Sequence, residues 1–97
     1  IIARFGGEEF LVVFNALEQT DVPKLVVRIL QSVRDEPFVF ESRPVPVTLS
    51  AGVAGIDEFT DTPATPEALI GLADHRLYLA KQSGRDCVAD ASGTLRI

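Results

Sequence analysis

The sequence predicts an α+β fold, an antiparallel-rich sheet with helices packed on it, in the order ββαββαβ. Three observations carry this. Short apolar runs punctuated by glycine and proline open the chain. Two later segments place apolar residues at the i, i+3, i+4, i+7 spacing of helices buried on one side. Between them lies a segment with the period-two alternation of a strand.

Ile1 to Phe5 and Glu8 to Phe14 are separated by Gly6-Gly7, which predicts a hairpin because both turn positions tolerate positive φ. Phe10-Leu11-Val12-Val13-Phe14 is apolar on both faces, the pattern of a central strand covered from both sides. Thr20 or Asp21 then caps a helix with Pro23 in its first turn. Val22, Leu25, Val26, Ile29, Leu30 and Val33 form its buried stripe, and Pro37 stops it near Glu36. Phe38 to Glu41 reads as a short strand, and Ser42, Arg43 and Pro44 as a turn. From Val45 to Ile56, Val47, Leu49, Ala51 and Val53 fall on one strand face. Thr48, Ser50, Gly52 and Ala54 fall on the other, and their small size anticipates close approach of a helix or another backbone.

Asp57 to Pro63 is a polar loop. Thr65-Pro66-Glu67 combines a cap, a first-turn proline and an early acid, so a second helix starts there. Its stripe is Leu69, Ile70, Ala73, Leu77 and Ala80, and Gly84 sits where a left-handed residue ends a helix. Cys87 to Ala89 predicts a last short strand. Residues 1–90 are thus expected to form part of a single domain, with 91–97 as a tail. The chain begins in an apolar run without a polar lead-in, which anticipates a start further upstream.

The 97 residues are 46% hydrophobic and 24% charged, the balance of a globular domain. A net charge of −5 argues against a nucleic-acid binder, whose affinity comes from clustered Lys and Arg. It leaves room for a nucleotide ligand held by one metal and two cations. The single cysteine, Cys87, excludes an internal disulfide and fits a reducing cytoplasm. No apolar run approaches the roughly 20 residues of a membrane span.

Chemistry concentrates in two places. In Gly6-Gly7-Glu8-Glu9-Phe10, a glycine turn lets another molecule approach the backbone, and two carboxylates begin the outgoing strand. On a regular strand Glu8 and Glu9 point to opposite faces, so only one can serve a given metal. Mg²⁺ takes carboxylate oxygens at about 2.0–2.1 Å plus substrate phosphates, so a second acid is needed. On residue type alone this turn also reads as a solubilising hairpin tip. Lys81 and Arg85 flank the end of the second helix and can converge on an anion, although cations in a last turn also simply complement the helix dipole. Arg28 reads as a solvated helix residue. His75 has no metal-ligand spacing, and Cys87 reads as a buried, inert thiol.

Three separated motifs resemble one family. Ala3-Arg4-Phe5-Gly6-Gly7-Glu8-Glu9-Phe10 matches the GG(D/E)EF signature with its Ala-Arg-aromatic lead. Val47-Thr48-Leu49-Ser50-Ala51-Gly52-Val53 resembles that family's V-T-x-S-x-G-V strand. Ala73-Asp74-His75-Arg76-Leu77-Tyr78-Leu79-Ala80-Lys81-Gln82-Ser83-Gly84-Arg85-Asp86 resembles its A-D-x-A-L-Y-x-A-K-x-x-G-R-N helix ending, with Arg76 for the usual Ala and Asp86 for the usual Asn. The resemblance runs from Ile1 to about Val88 and is to GGDEF-domain diguanylate cyclases, in a GGEEF variant.

The resemblance implies a palm-like, ferredoxin-related nucleotidyl cyclase fold in a cytoplasmic bacterial protein. It implies condensation of two GTP into cyclic di-GMP with release of pyrophosphate, between two antiparallel GGDEF domains using Mg²⁺ or Mn²⁺. Glu8 matches the metal-binding position, and Gly6 and Gly7 the turn over the nucleotide. Lys81 and Arg85 match the cations on the terminal phosphates, and Glu9 a further catalytic position. Arg28 matches a helical arginine of the product-inhibition site. The family's other metal-binding Asp, its guanine-reading Asn and Asp, and its R-x-x-D motif are expected upstream of Ile1, together with a sensor or regulatory domain that can anchor the parent to a membrane. The chain by itself is therefore expected to be inactive. An alternative is a degenerate domain that binds GTP or cyclic di-GMP to regulate a partner; another is a structural interaction module.

Overall fold

Cys87-Val88-Ala89 is almost completely buried, and the fold is organised around it. Alternate strand residues face opposite ways. Val88 meets Val26 and Leu30 of the first helix, while Cys87 and Ala89 meet Ala80 of the second, so the strand is sandwiched between them. The computed structural model describes residues 1–15, 17, 18 and 20–96. Its elements are β1 (Ile2–Gly6), β2 (Glu9–Val12), α1 (Asp21–Asp35), β3 (Val39–Phe40), β4 (Arg43–Pro44), β5 (Ala51–Gly52), a 3₁₀ turn (Ile56–Glu58), α2 (Pro66–Gln82), β6 (Cys87–Asp90) and β7 (Gly93–Arg96). β1–β2 and β3–β4 are separate antiparallel hairpins. In the three-stranded sheet β5-β6-β7, β5 runs parallel to β6 and β6 antiparallel to β7. The α+β class is as the sequence indicates.

Several elements differ from the sequence reading. Gly6 belongs to β1 and pairs with Glu9, so the turn residues are Gly7 and Glu8. The register shifts between Arg4 and Gly6, a bulge that moves the turn by one position. Residues 39–44 form a hairpin of their own, turning at Glu41 (φ 51°) and Ser42 (φ 65°). Two successive left-handed residues match the twist of such a two-residue turn. The long strand expected over 45–56 is split: the Val45 N–H extends the 39–44 hairpin by donating to the Phe38 carbonyl, and Ala51 and Gly52, followed by the Val53 N–H on the Ala89 carbonyl, pair with β6. The expected tail carries β7, which pairs with all four residues of β6; Ile97 lies outside the described residues. Thr20 occupies the cap position of α1 without a side-chain capping bond. β2 is not covered on both faces: Phe10, Val12 and Val13 are exposed, and β1 is its strand neighbour among the described residues.

Two devices fix α2. Thr65 Oγ1 accepts from the Ala68 N–H and Pro66 follows, so the helix starts where the sequence places it. Gly52 then forms its seat. A Cβ there would overlap the Ala73 carbonyl oxygen and the Leu77 nitrogen and lie 2.9 Å from the Arg76 carbonyl carbon. The small-residue face of the alternating segment thus meets the helix it anticipated. Arg76 locks the chain leaving β5 to the same helix. It donates to the Val53 carbonyl at 2.7 Å and to both Glu58 carboxylate oxygens at 2.6 and 2.8 Å. The Gly55 N–H donates to Glu58 at 2.8 Å. The Arg76 hydrogen bonds hold the Glu58 carboxyl below its usual range, opposed by partial burial and helped by the Gly55 bond. The paired carboxylate correspondingly raises Arg76.

Two outcomes follow from this packing. Gly52→Ala forces backbone against backbone, and overpacking of this kind costs about 1–3 kcal/mol or more; urea unfolding of the intact protein is expected to show a loss at or above the upper end. A depressed carboxyl contributes stability above its unfolded value, near the ordinary glutamate value of 4.5, and loses it as pH falls through the lower folded value. Glu58→Gln is therefore expected to destabilise at pH 7 by about 2 kcal/mol, the scale of a charge-assisted hydrogen bond. The difference from the parent is expected to shrink as pH falls below that value, as read from thermal midpoints across pH.

Candidate functional site

The β1–β2 turn is braced from within. Arg4 donates to the Gly7 carbonyl through Nε at 3.0 Å and Nη2 at 2.7 Å, closing the turn across the bulge. Gly7 lies at φ 42°, in the left-handed region that a side chain rarely enters. Glu8 consequently projects from the tip and is exposed. Glu9, the first residue of β2, is half-buried and turns toward α2. The sequence reading that only one of the two acids faces a given site holds, though the turn and not strand alternation separates them.

Lys81 Nζ lies 3.1 Å from Glu9 Oε2, joining residues 72 positions apart. Their side chains keep 26% and 35% of their exposure, so solvent still screens the pair. Ion pairs of this kind contribute about 0–1 kcal/mol, little enough for a stronger anion to displace the carboxylate. Asp74, Tyr78 and Lys81 share one face of α2 at helical spacing. With Glu9 and Leu77 they line a shallow groove of about 160 Å³ between hairpin and helix. Sequence reasoning passed over Asp74 and Tyr78 as groove residues, although counting back three positions from Lys81, and then four more, would have found them.

The end of α2 has a full glycine termination. Gly84 stands at φ 107°, its N–H donates to the Lys81 carbonyl, and the Arg85 N–H donates to the Ala80 carbonyl at 3.0 Å. These bonds consume carbonyls that would otherwise face an approaching anion. A helix C-terminus repels anions, so an anion site here depends on cations. Lys81 precedes the turn and Arg85 follows it, exposed and with no side-chain partner among the described residues. Asp86 departs from the resembled motif, yet its carboxylate pairs with Arg34 of α1 at 3.2 Å. Arg76, the other departure, has the structural clamp described above.

Arg28 is placed elsewhere. It lines a groove of about 300 Å³ with Leu17, Asp21, Lys24 and Leu25, sharing no residue with the groove at Glu9 and Lys81. That groove is larger, and Asp21, Lys24 and Arg28 are its charged residues. His75 is exposed, and Cys87 is buried with Sγ against the Ala80 carbonyl at 3.3 Å, as expected for an inert thiol. Among the described residues no group of three or more His, Cys, Asp or Glu is placed to hold a metal ion. No helix among the described residues is long and apolar enough to cross a membrane.

Comparison with known proteins gives this arrangement a family. The model of the family "Diguanylate cyclase, GGDEF domain" matches residues 1–87. Diguanylate cyclase DgcP of Pseudomonas aeruginosa is 38% identical over 85 residues, covering 88% of this chain and 12% of that protein. Response regulator PleD of Caulobacter vibrioides is 40% identical over 87 residues, covering 88% of this chain and 18% of that protein. Diguanylate cyclase A of Treponema denticola is 30% identical over 93 residues, covering 96% of this chain and 24% of that protein. The chain thus spans no more than about a quarter of the length of these relatives. With the family model covering the hairpin, the small-residue segment and the α2 ending alike, the chain belongs to the diguanylate cyclase GGDEF domain family.

Proposed function

We propose that this chain carries the phosphate-binding part of a diguanylate cyclase, which condenses two GTP into cyclic di-GMP and releases two pyrophosphates. The observation that carries the reading is the meeting of Lys81 with Glu9 across the hairpin–helix groove, beside an intact GGEEF turn. Lys81 and Arg85 take the terminal phosphates, which leave as pyrophosphate when a ribose 3′-OH attacks an α-phosphate. Such transfers rely on positioning and charge stabilisation more than on covalent help. Glu9 holds Lys81 in the empty groove and yields it when phosphate arrives, because their solvated pair is weak. The absence of side chains at Gly6 and Gly7 leaves backbone for the nucleotide to approach. Nothing lies within 4 Å of where a Cβ would stand at either position.

Glu8 would offer a single exposed carboxylate to Mg²⁺ or Mn²⁺, which when bound would neutralise phosphate charge. Catalysis between two copies of the domain, each holding one GTP, accounts for a site built from so few groups in one chain. The relative named as a response regulator supports control by a further domain of the parent protein, and the GTP requirement supports action in the cytoplasm. Arg28 stands apart from the catalytic groove, a location compatible with a separate cyclic di-GMP contact.

Supplied with GTP and Mg²⁺, the intact protein is expected to form cyclic di-GMP, detected by mass spectrometry. Removing one charge-stabilising group from such a site costs on the order of 10²–10³ in turnover. Glu8→Ala and Lys81→Ala are each expected to fall in that range with the fold retained. GTP binding without product in the unsubstituted protein would replace this reading with that of a regulatory binding module. The 97-residue chain alone is expected to make no product, since Glu8 and Glu9 point apart and the turn offers a metal one carboxylate.

A further inference from the structure

Arg96, in β7, lies beyond the residues that the family model matches. It faces Cys87 in the β6–β7 register, and its guanidinium reaches back over the end of α2. Nη1 donates to the Arg85 carbonyl at 3.0 Å. A Cβ built on Gly84 would stand 2.8 Å from Nη2 and 3.4 Å from Nη1, so the guanidinium rests against that glycine. Ser83 Oγ and Thr94 Oγ1 approach to 3.5 Å beside it.

The segment so covered is strained. Arg85 (φ 64°) and Asp86 (φ 54°) are successive non-glycine residues in the left-handed region, where such residues ordinarily occur singly. Conformations of this kind persist only where the surroundings over-determine them. Here the surroundings do. The Arg85 N–H is tied to Ala80 and its carbonyl to Arg96. The Asp86 N–H is tied to Ser50 Oγ at 3.0 Å, and its carboxylate to Arg34. The Arg85 side chain, by contrast, is exposed and makes no hydrogen bond among the described residues.

We infer that Arg96 is a positioning residue: by holding the Arg85 carbonyl and covering Gly84, it fixes the backbone that aims the Arg85 guanidinium at a nucleotide's phosphates. This deepens the function proposed above and rests on its reading of Arg85 as a phosphate-binding cation. Arg96 itself is occupied by the carbonyl, so its charge acts through Arg85 and not by direct contact with the ligand. No residue of the GGEEF turn or of the α2 motif makes this contact, and β7 supplies it from outside both.

The test is a double-mutant cycle in the intact protein, with the α,β-methylene analogue of GTP and Mg²⁺ as probe. Arg96→Met keeps the aliphatic stem and the β6–β7 ladder while removing the N–H donors; Arg96→Ala is the second variant. Each is expected to weaken binding about five- to tenfold, the scale of one net hydrogen bond. In an Arg85→Ala background each is expected to change binding less than twofold, because no aimed group remains. Faster amide exchange at Arg85 and Asp86 in the Arg96 variants, with an unchanged thermal midpoint, is the accompanying signature. Equal weakening in both backgrounds would show a direct charge effect and overturn the inference, as would unchanged binding in the Arg96 variants. Should Arg85→Ala alone bind like the parent, the reading of Arg85 fails first. That failure is visible without any Arg96 variant.

Discussion

The seat of α2 on Gly52 is the constraint on which the candidate site depends. Backbone meets backbone there, with no side chain between strand and helix. That contact sets the depth of α2 over β5 and β6, and the helix then carries Lys81 to the hairpin and ends in the turn that carries Arg85. Arg76 reinforces the seat from the middle of the helix by gripping Val53 and Glu58. A phosphate-binding pair needs its charges fixed to within a fraction of an ångström of their working geometry, so they belong on a helix anchored in this way. The core at Val88, Val26 and Leu30 supplies burial but leaves that geometry undetermined.

On the proposed function, the electrostatics of the site serve to exchange one anion for another. A helix C-terminus is a poor place for phosphate unless cations outweigh its dipole. The glycine termination removes the Ala80 and Lys81 carbonyls from competition by bonding them within the turn. Lys81 is held by Glu9 in a half-solvated pair that contributes little stability, so an incoming phosphate meets an oriented cation that is easily released. The two carboxylates of the turn thereby take different positions: Glu8 projects from the tip, and Glu9 backs the cation.

Much of this was legible in the residues. The helical spacing of Leu69, Ile70, Ala73, Leu77 and Ala80, the Thr65 cap and the Gly84 stop located α2 closely, because each is a local rule that tertiary context did not override. The small face ending in Gly52 announced a close neighbour. Local rules did not reach features that depend on distant partners. The segment 45–56 alternates as a strand should, yet a strand is defined by its ladder, and this one is divided between the 39–44 hairpin and β6. β7 escaped notice because Gly93 to Arg96 has little apolar periodicity and is held by pairing with β6. The bulge near Phe5 moved the turn by one residue, which no glycine count reveals. The Glu9–Lys81, Arg34–Asp86 and Arg96–Arg85 contacts join segments whose proximity only the folded chain defines.

The central claim is that α2, seated on Gly52, delivers Lys81 and Arg85 together to the phosphates of a nucleotide. It is tested most directly by a crystal structure of the intact protein with Mg²⁺ and α,β-methylene GTP. The account expects Lys81 Nζ to have left Glu9 for a phosphate oxygen, with the Arg85 guanidinium on the same phosphates and α2 still seated on Gly52. A nucleotide bound with its phosphates away from both side chains, and the Lys81–Glu9 pair intact, would contradict it.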